Sequence, residues 1–433
     1  MNLPDLFLGI DIGTSGCRAI AIDRSGTIHG KAFVSFPMPE RNGNEIEQDA
    51  LIWWNSVKKL LAQLATKIDL KQVVALSIDG TSGTIIACDD HGAPLHPGLM
   101  YNDARAVQQA QTISAIAPIE SAVHGVTSGL AKALWLLDHV DREAIHYLLN
   151  QSDWIVGKLS NHYGLSDYNN CLKLGYDPIE KQWPNWLEKL HVPFNMLSTA
   201  HRPGEQITHL SSHIADEFGF NKAIPIFAGT TDSTAAVYAT GAEQPGDAIT
   251  SLGSTLVTKV ISNTPLFIPE CGVYSQPFGQ FWLVGGGSNS GGNVLLHYFT
   301  PSQMTEMSQN IDPNQSPNLD YYPLLTPGER FPISNPNLAP KLEPRPEEDT
   351  LFFHGLLEGI TNIEKQANDL LAQHGAPYPK RIYSAGGGAI NTVWTQIRAN
   401  ILGAEMLLPE QQDAAYGVAK IARDGYLNYT TKA

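Results

Sequence analysis

Two short segments, about half a chain apart, share one shape: an apolar run, a tight turn of small residues, and a second apolar run. The first is residues 6–12, Gly13-Thr14-Ser15-Gly16, and residues 17–23. The second is residues 248–252, Gly253-Ser254-Thr255, and residues 256–261. Apolar runs flanking glycine and hydroxyl residues carry hairpin chemistry. A chain that opens each half on the same hairpin reads as two similar α/β halves. The length of 433 residues agrees, being too long for one simple core and suited to two or three domains.

The segments between the hairpins fit that plan. Residues 27–36 can add a third strand, and residues 47–66 form an amphipathic helix with Leu51, Trp54, Val57, Leu60, Leu61 and Leu64 on one face. Residues 73–79 and 84–89 read as strands, and residues 101–220 as helix-dominated. Strand 224–229 and helix 233–240 then restart the α/β alternation. In the second half a strand at 281–284 runs into Gly285-Gly286-Gly287, and a helix follows from Gly292. Residues 300–350 are rich in Pro, Asn and Glu and have no period, which predicts a long surface excursion. Helix 351–374, strand 381–385, Gly386-Gly387-Gly388, a helix from Asn391 and a last helix at 414–427 close the chain. No repeat of the solenoid kind is visible.

Composition narrows the partners. With 28 Lys+Arg against 43 Asp+Glu the net charge is −15, and no basic cluster interrupts it. That argues against nucleic acid or an anionic membrane surface. No apolar run approaches the roughly 20 residues of a membrane span, and the N-terminus lacks the basic and apolar regions of a signal peptide. Cys17, Cys88, Cys171 and Cys271 are far apart and form no CxxC pair, so they read as reduced, mostly buried thiols of a cytoplasmic protein.

Several turns could carry chemistry. Asp11 ends an apolar strand, where a buried carboxylate needs a cation or hydrogen bonds, and Gly13-Thr14 can turn backbone N–H groups toward a phosphate. An ordinary Asp-capped turn is an equal reading of that motif alone. Ser77-Ile78-Asp79-Gly80-Thr81-Ser82-Gly83-Thr84 is a second strand delivering an Asp into a turn, and there the structural reading is the stronger one. Asp232, in Ala228-Gly229-Thr230-Thr231-Asp232-Ser233, is by default a helix cap, but it also sits where α/β folds place a general base. Gly253-Ser254-Thr255 is the counterpart of the first turn and suggests two hairpins pinching one polyphosphate. Gly285-Gly286-Gly287 with Asn289, and Gly386-Gly387-Gly388 with Asn391, lie between strand and helix, where backbone can approach a nucleotide. Neither fits GxGxxG or Walker A, so Rossmann and P-loop readings fail. None of the 14 His residues lies in an HExxH arrangement, and no GxSxG elbow is present. Trp53-Trp54 and Trp135 read as core or interface aromatics.

Taken together, GIDIGTSGCR, AGTTDS, SLGST and SAGGGAINTVW resemble the phosphate hairpins, catalytic-Asp segment and adenosine loop of the FGGY carbohydrate kinases, in the actin-like ATPase superfamily. Lys132-Ala133-Leu134-Trp135 and Ser152-Asp153-Trp154 resemble further landmarks, although Gly129 and Ala133 depart from the usual signature around Lys132. IDGTSGT, SDYNNCLKLGYD, LDYYPL, PGERFPI and LEPRP are similar to the short D-ribulose kinase branch, with Thr81-Ser82 replacing bulkier sugar-binding side chains. The resemblance implies two actin-like (ribonuclease H-like) domains, each a mixed sheet of about five strands with helices on both faces, and a cleft between them. It places a sugar-binding domain at 1–240, an ATP-binding domain at 241–412, and a final helix, 413–433, able to pack back on the first.

The implied activity is ATP-dependent phosphorylation of the terminal hydroxyl of a ketopentose: D-ribulose first, D-xylulose as the alternative. Asp232 would be the catalytic base, and Asp11 would hold Mg²⁺ through water. Asp11, Ser82 and Asp232 would contact the sugar. Gly13, Thr14, Gly253, Ser254 and Thr255 would clamp the phosphates, and Asn289, Gly387, Gly388 and Asn391 would hold the adenosine end. A non-catalytic sugar sensor and a chaperone-like ATPase are the rival readings, and a monomer or homodimer is expected. Across residues 8–18, 79–84, 229–234, 251–256, 285–293 and 386–391 the only basic side chain is Arg18, so backbone amides, hydroxyls and the metal must meet the phosphate charge.

Overall fold

The first hairpin forms where the pattern places it. β1 (Leu6–Ile12) and β2 (Gly16–Ile22) pair antiparallel from Phe7 opposite Ile22 to Ile12 opposite Cys17, and Gly13 N–H closes the turn on Gly16 O at 3.0 Å. β3 (Ile28–Ser35) extends the sheet with alternating buried and exposed residues. β4 (Val73–Gly80) lies parallel to β1, with β5 (Gln206–His209) and β6 (Pro225–Thr231) beyond it, in the order β5-β6-β4-β1-β2-β3. Five of these strands make the expected mixed sheet, and β5 adds an edge. The computed structural model describes residues 4–222 and 224–432.

Every residue of β1 is buried because helices cover both faces. On one face lies α1 (Ala50–Ala65), whose start is fixed by Asp49 accepting the Leu51 N–H. That start turns Leu51 outward, 48% exposed, and sends Trp53 into the core alongside Trp54, Val57, Leu60, Leu61 and Leu64. On the other face the C-terminal helix (Ala414–Lys432) lies directly on β1. At Gly9 the approach is so close that a Cβ would stand 2.0 Å from the Ala415 carbonyl oxygen. Residues 101–220 are less helical than expected, since short strands such as Tyr147–Asn150, Leu165–Asp167 and Thr199–His201 interleave with the helices. From this region α2 (Gln151–Ser160) lies next to β4, and α3 (Asp232–Ala239) follows β6 directly.

The chain divides into two compact units, residues 1–239 with 411–433, and residues 240–410. The second unit repeats the plan. β7 (Asp247–Leu252) and β8 (Leu256–Ser262) form the hairpin, with β9 (Gln276–Phe278), β10 (Phe281–Gly287), β11 (Arg381–Ala385) and β12 (Glu405–Leu407) in the order β9-β10-β8-β7-β11-β12. β10 runs through the glycine triplet rather than stopping before it. α4 (Gly292–Tyr298) follows, then α5 (Pro301–Ser308), which the expected irregular excursion does not include. Thr300 and Gln303 form a capping box there, with Pro301 at the first helical position. α6 (Asp349–Gln373) and α7 (Thr392–Leu402) complete the unit. The fully buried Arg398 of α7 fastens it, reaching Glu364 of α6 through Nε and Nη2 at 2.7 Å each and Ser384 of β11 through Nη1 at 2.6 Å. Cys17, Cys88 and Cys171 are buried and Cys271 half-buried, all as free thiols. Among the described residues no helix is long and apolar enough to cross a membrane.

Candidate functional site

Parallel strands bring their C-terminal ends to one edge, and in the first unit that edge is acidic. Asp11 lies near the end of β1, 4% exposed, and the parallel register sets Asp79 of β4 directly beside it. Thr230 of β6 stands opposite Asp79 on the other side, and Asp232, half-buried, opens α3 just beyond, its Oδ1 accepting the Ser233 N–H at 2.6 Å. Arg18 reaches Asp11 Oδ2 through Nη1 at 3.4 Å. Burial holds the Asp11 carboxyl above its ordinary value. Burial, then the charge of Asp11, pushes Asp79 well above the usual carboxylate range.

Neither carboxylate oxygen of Asp79 finds a hydrogen-bond partner. Two adjacent buried carboxyls keep both charges only if a cation joins them. Their oxygens are the hard donors that Mg²⁺ takes, and a magnesium ion that keeps most of its waters needs few protein ligands. Among the described residues no group of three or more His, Cys, Asp or Glu is placed to hold a metal ion. Asp11 and Asp79 are the residues at this edge that could hold a hydrated Mg²⁺.

Beside this edge lies a turn of polar side chains. The backbone N–H and Oγ1 of Thr81 both donate to Gln151 Oε1 at the start of α2, at 3.0 and 2.7 Å. That leaves Gln151 Nε2 and Ser82 Oγ buried without partners. An unpaired buried hydroxyl and amide at a loop call for a polar ligand. Behind them Asp153 accepts from the N–H and Nδ2 of Asn150, and Asp167 from both backbone N–H groups of Asn169 and Asn170. Burial pushes their carboxyls up to about 7 and about 6 respectively.

In the second unit the Gly253-Ser254-Thr255 tip is braced from outside, with Gly292 N–H donating to Gly253 O at 2.8 Å and Asn293 N–H to Ser254 O at 3.1 Å. Gly386 follows β11 at φ +85°, and a Cβ there would stand 2.9 Å from the Leu252 carbonyl, so the hairpin itself demands glycine. A cavity of about 710 Å³ opens beside the tip, lined by Gly253, Ser254, Gly387, Gly388 and Asn391 and walled by apolar side chains including Leu295, Phe353, Val393 and Trp394. Its size and apolar walls suit a nucleoside. Asn391 lends shape more than recognition, because its Oδ1 caps α7 at Trp394 N–H and its Nδ2 donates to Ser308 Oγ. Thr255 and Asn289 are not among the lining residues. The Asn289 Nδ2 donates instead to Gly328 O at 3.0 Å.

Family models agree with this two-unit plan: the N-terminal domain of the FGGY family of carbohydrate kinases matches residues 6–239, and the C-terminal domain of that family matches residues 248–423. The chain belongs to the FGGY carbohydrate kinases. It is 23% identical to a xylulose kinase of Staphylococcus xylosus, over 96% of this chain and 90% of the relative. It is 22% identical to a gluconokinase of Bacillus subtilis, over 95% and 86%. The ligand-bound xylulose kinase of Lactobacillus acidophilus shares the fold with a TM-score of 0.84 at 19% identity, covering 98% of this chain and 90% of that one. This FGGY chain is thus an ATP-dependent sugar kinase of the actin-like two-domain fold. In the kinase, Asp11, Gly13, Thr14, Ser82 and Asp232 all lie at or just beyond the strand ends of the first unit. Sequence reasoning gave no role to Asp79 or Gln151. The strand-then-turn pattern of residues 77–84 was the available signal, but only the β1–β4 register reveals which residue Asp79 adjoins.

Proposed function

We propose that this kinase transfers the γ-phosphoryl group of ATP to the terminal hydroxyl of a ketopentose, with the sugar held by the first unit and the nucleotide by the second. The observation that carries this reading is the acidic strand edge of Asp11, Asp79 and Asp232 beside the unpartnered Ser82 Oγ and Gln151 Nε2. D-xylulose is the first acceptor, because the relatives named above include xylulose kinases. D-ribulose is the second reading, from the resemblance of IDGTSGT, SDYNNCLKLGYD and PGERFPI to the short D-ribulose kinase branch.

Asp232 stands at the end of β6 as the base that takes the hydroxyl proton, and Ser82 and Asp11 orient the sugar. Asp11 and Asp79 would hold Mg²⁺ through its waters, and the ion would neutralise charge on the transferred phosphoryl. Thr14, with Gly13 forming its turn, would offer a backbone N–H to phosphate in the first unit, as Gly253-Ser254-Thr255 would in the second, whose cavity at Gly387, Gly388 and Asn391 would take the adenosine. Asp232→Ala should abolish sugar-dependent ADP release, with a loss of at least about a thousandfold, while nucleotide binding stays measurable by calorimetry. Near-normal turnover would remove Asp232 from the role of base. An ADP-release panel of D-xylulose, D-ribulose, L-ribulose, glycerol and D-xylose should give the highest kcat/KM with D-xylulose. A preference for D-ribulose would reverse the order of the two acceptors, and no turnover with any sugar would favour a sensor.

A further inference from the structure

The motifs that read as phosphate-binding hold a single basic side chain, Arg18. The second unit supplies another cation, from the long segment between α5 and α6. That segment returns Glu329-Arg330-Phe331 to the end of β10. Glu329 is buried, and its carboxylate accepts from Ser288 Oγ at 2.5 Å, Asn289 N–H at 2.7 Å and Tyr322 OH at 3.0 Å. It therefore fastens the turn to the residues just past the strand.

The two neighbours of Glu329 explain two glycines. Phe331 fills the space over Gly286, where a Cβ would meet its ring at 2.7 Å. Arg330 lies over Gly287, where a Cβ would stand 3.1 Å from Nη2. The triplet thus seats this turn, rather than only letting a nucleotide approach. Gly287 pairs with Val257 of β8, at the same end of the sheet as the hairpin tip. Thr255, two residues before Val257, belongs to the hairpin tip just outside β8, so the turn that carries Arg330 seats at the tip end of the sheet. Arg330 is exposed, and its guanidinium makes no hydrogen bond or ion pair with any described residue. In a chain of net charge −15, a guanidinium held beside a phosphate-type hairpin while its neighbouring carboxylate is occupied elsewhere is a site for an anionic ligand.

We propose that Arg330 binds the terminal phosphates of the nucleotide held by the Gly253-Ser254-Thr255 tip, which makes the long segment part of the phosphate site. The assignment rests on the reading of the adjacent cavity as the adenosine site. The test is calorimetric titration of the full-length protein, Arg330→Met and Arg330→Lys with a non-hydrolysable ATP analogue, ADP, AMP and adenosine, alongside thermal melts. Arg330→Met should weaken the ATP analogue about tenfold and leave AMP and adenosine within about twofold, and Arg330→Lys should recover part of the loss. Unchanged binding of the ATP analogue by Arg330→Met overturns the assignment, as does an equal loss for ATP analogue and AMP, which would mark a collapsed turn. If the unaltered protein binds no adenine nucleotide, the cavity reading fails and the assignment with it. Normal AMP and ATP binding in both proteins sinks Arg330 alone.

Discussion

At Asp79 the proposed hold on Mg²⁺ would be set against stability. Its carboxyl is fully buried, its oxygens are unpartnered, and it is held beside Asp11. Its acidity is suppressed in the folded chain and restored on unfolding, so the folded state holds a proton that the unfolded state releases. That contribution is complete below the unfolded value near pH 4 and fades as pH rises, which means the group destabilises the protein increasingly toward neutrality. Asp153 and Asp167, raised to about 7 and about 6, act in the same direction over pH 4 to 7. Thermal melts of the ligand-free protein should therefore fall between pH 5 and 8. Asp79→Asn should melt several degrees higher than the unaltered protein at pH 8, with the gain shrinking toward pH 5. The same variant should need more Mg²⁺ for half-maximal turnover. A melting gain that does not depend on pH would mean that ionisation of Asp79 plays no part.

At the scale of elements, close backbone contacts and one buried ion pair hold the sheets to their helices. Gly9→Ala would drive a methyl into the Ala415 carbonyl, a rigid backbone atom, and should cost about 3 kcal/mol or more in urea unfolding. Glu364→Ala would strand the fully buried Arg398 and should cost about 3–5 kcal/mol by the same measurement. Arg398→Met strands the buried Glu364 carboxylate in turn, but should cost less, because Glu364 can take up a proton whereas arginine cannot lose one, and Thr250 Oγ1 still donates to it. The hairpins were legible because alternation and turn chemistry are local properties. Leu51 was misplaced because a helical face depends on where the helix starts, and the cap at Asp49 sets that. The helix at Pro301–Ser308 lay hidden under a Pro- and Asn-rich composition, although Thr300, Pro301 and Gln303 spell its capping box. The pairing of Asp79 with Asp11 depends on register between strands far apart in sequence, which no local pattern encodes. The seat of Arg330 is equally non-local.

The whole molecule is one interrupted unit and one inserted unit. Residues 411–433 rejoin the first 239, and residues 240–410 form a body of their own. A ligand stabilises what it binds, so AMP should raise the melting of the unit that holds the 710 Å³ cavity. Calorimetry with and without AMP, checked by hydrogen exchange, should show protection concentrated in residues 240–410, and protection confined to residues 1–239 would contradict the cavity assignment. The Gly9–Ala415 contact also bears on synthesis. The strand that carries Asp11 and the helix that covers one of its faces lie about 400 residues apart, so the strand is made long before its cover. A chain synthesised only as far as residue 413 would therefore leave the sheet that carries Asp11 uncovered on that face, however complete its inserted unit.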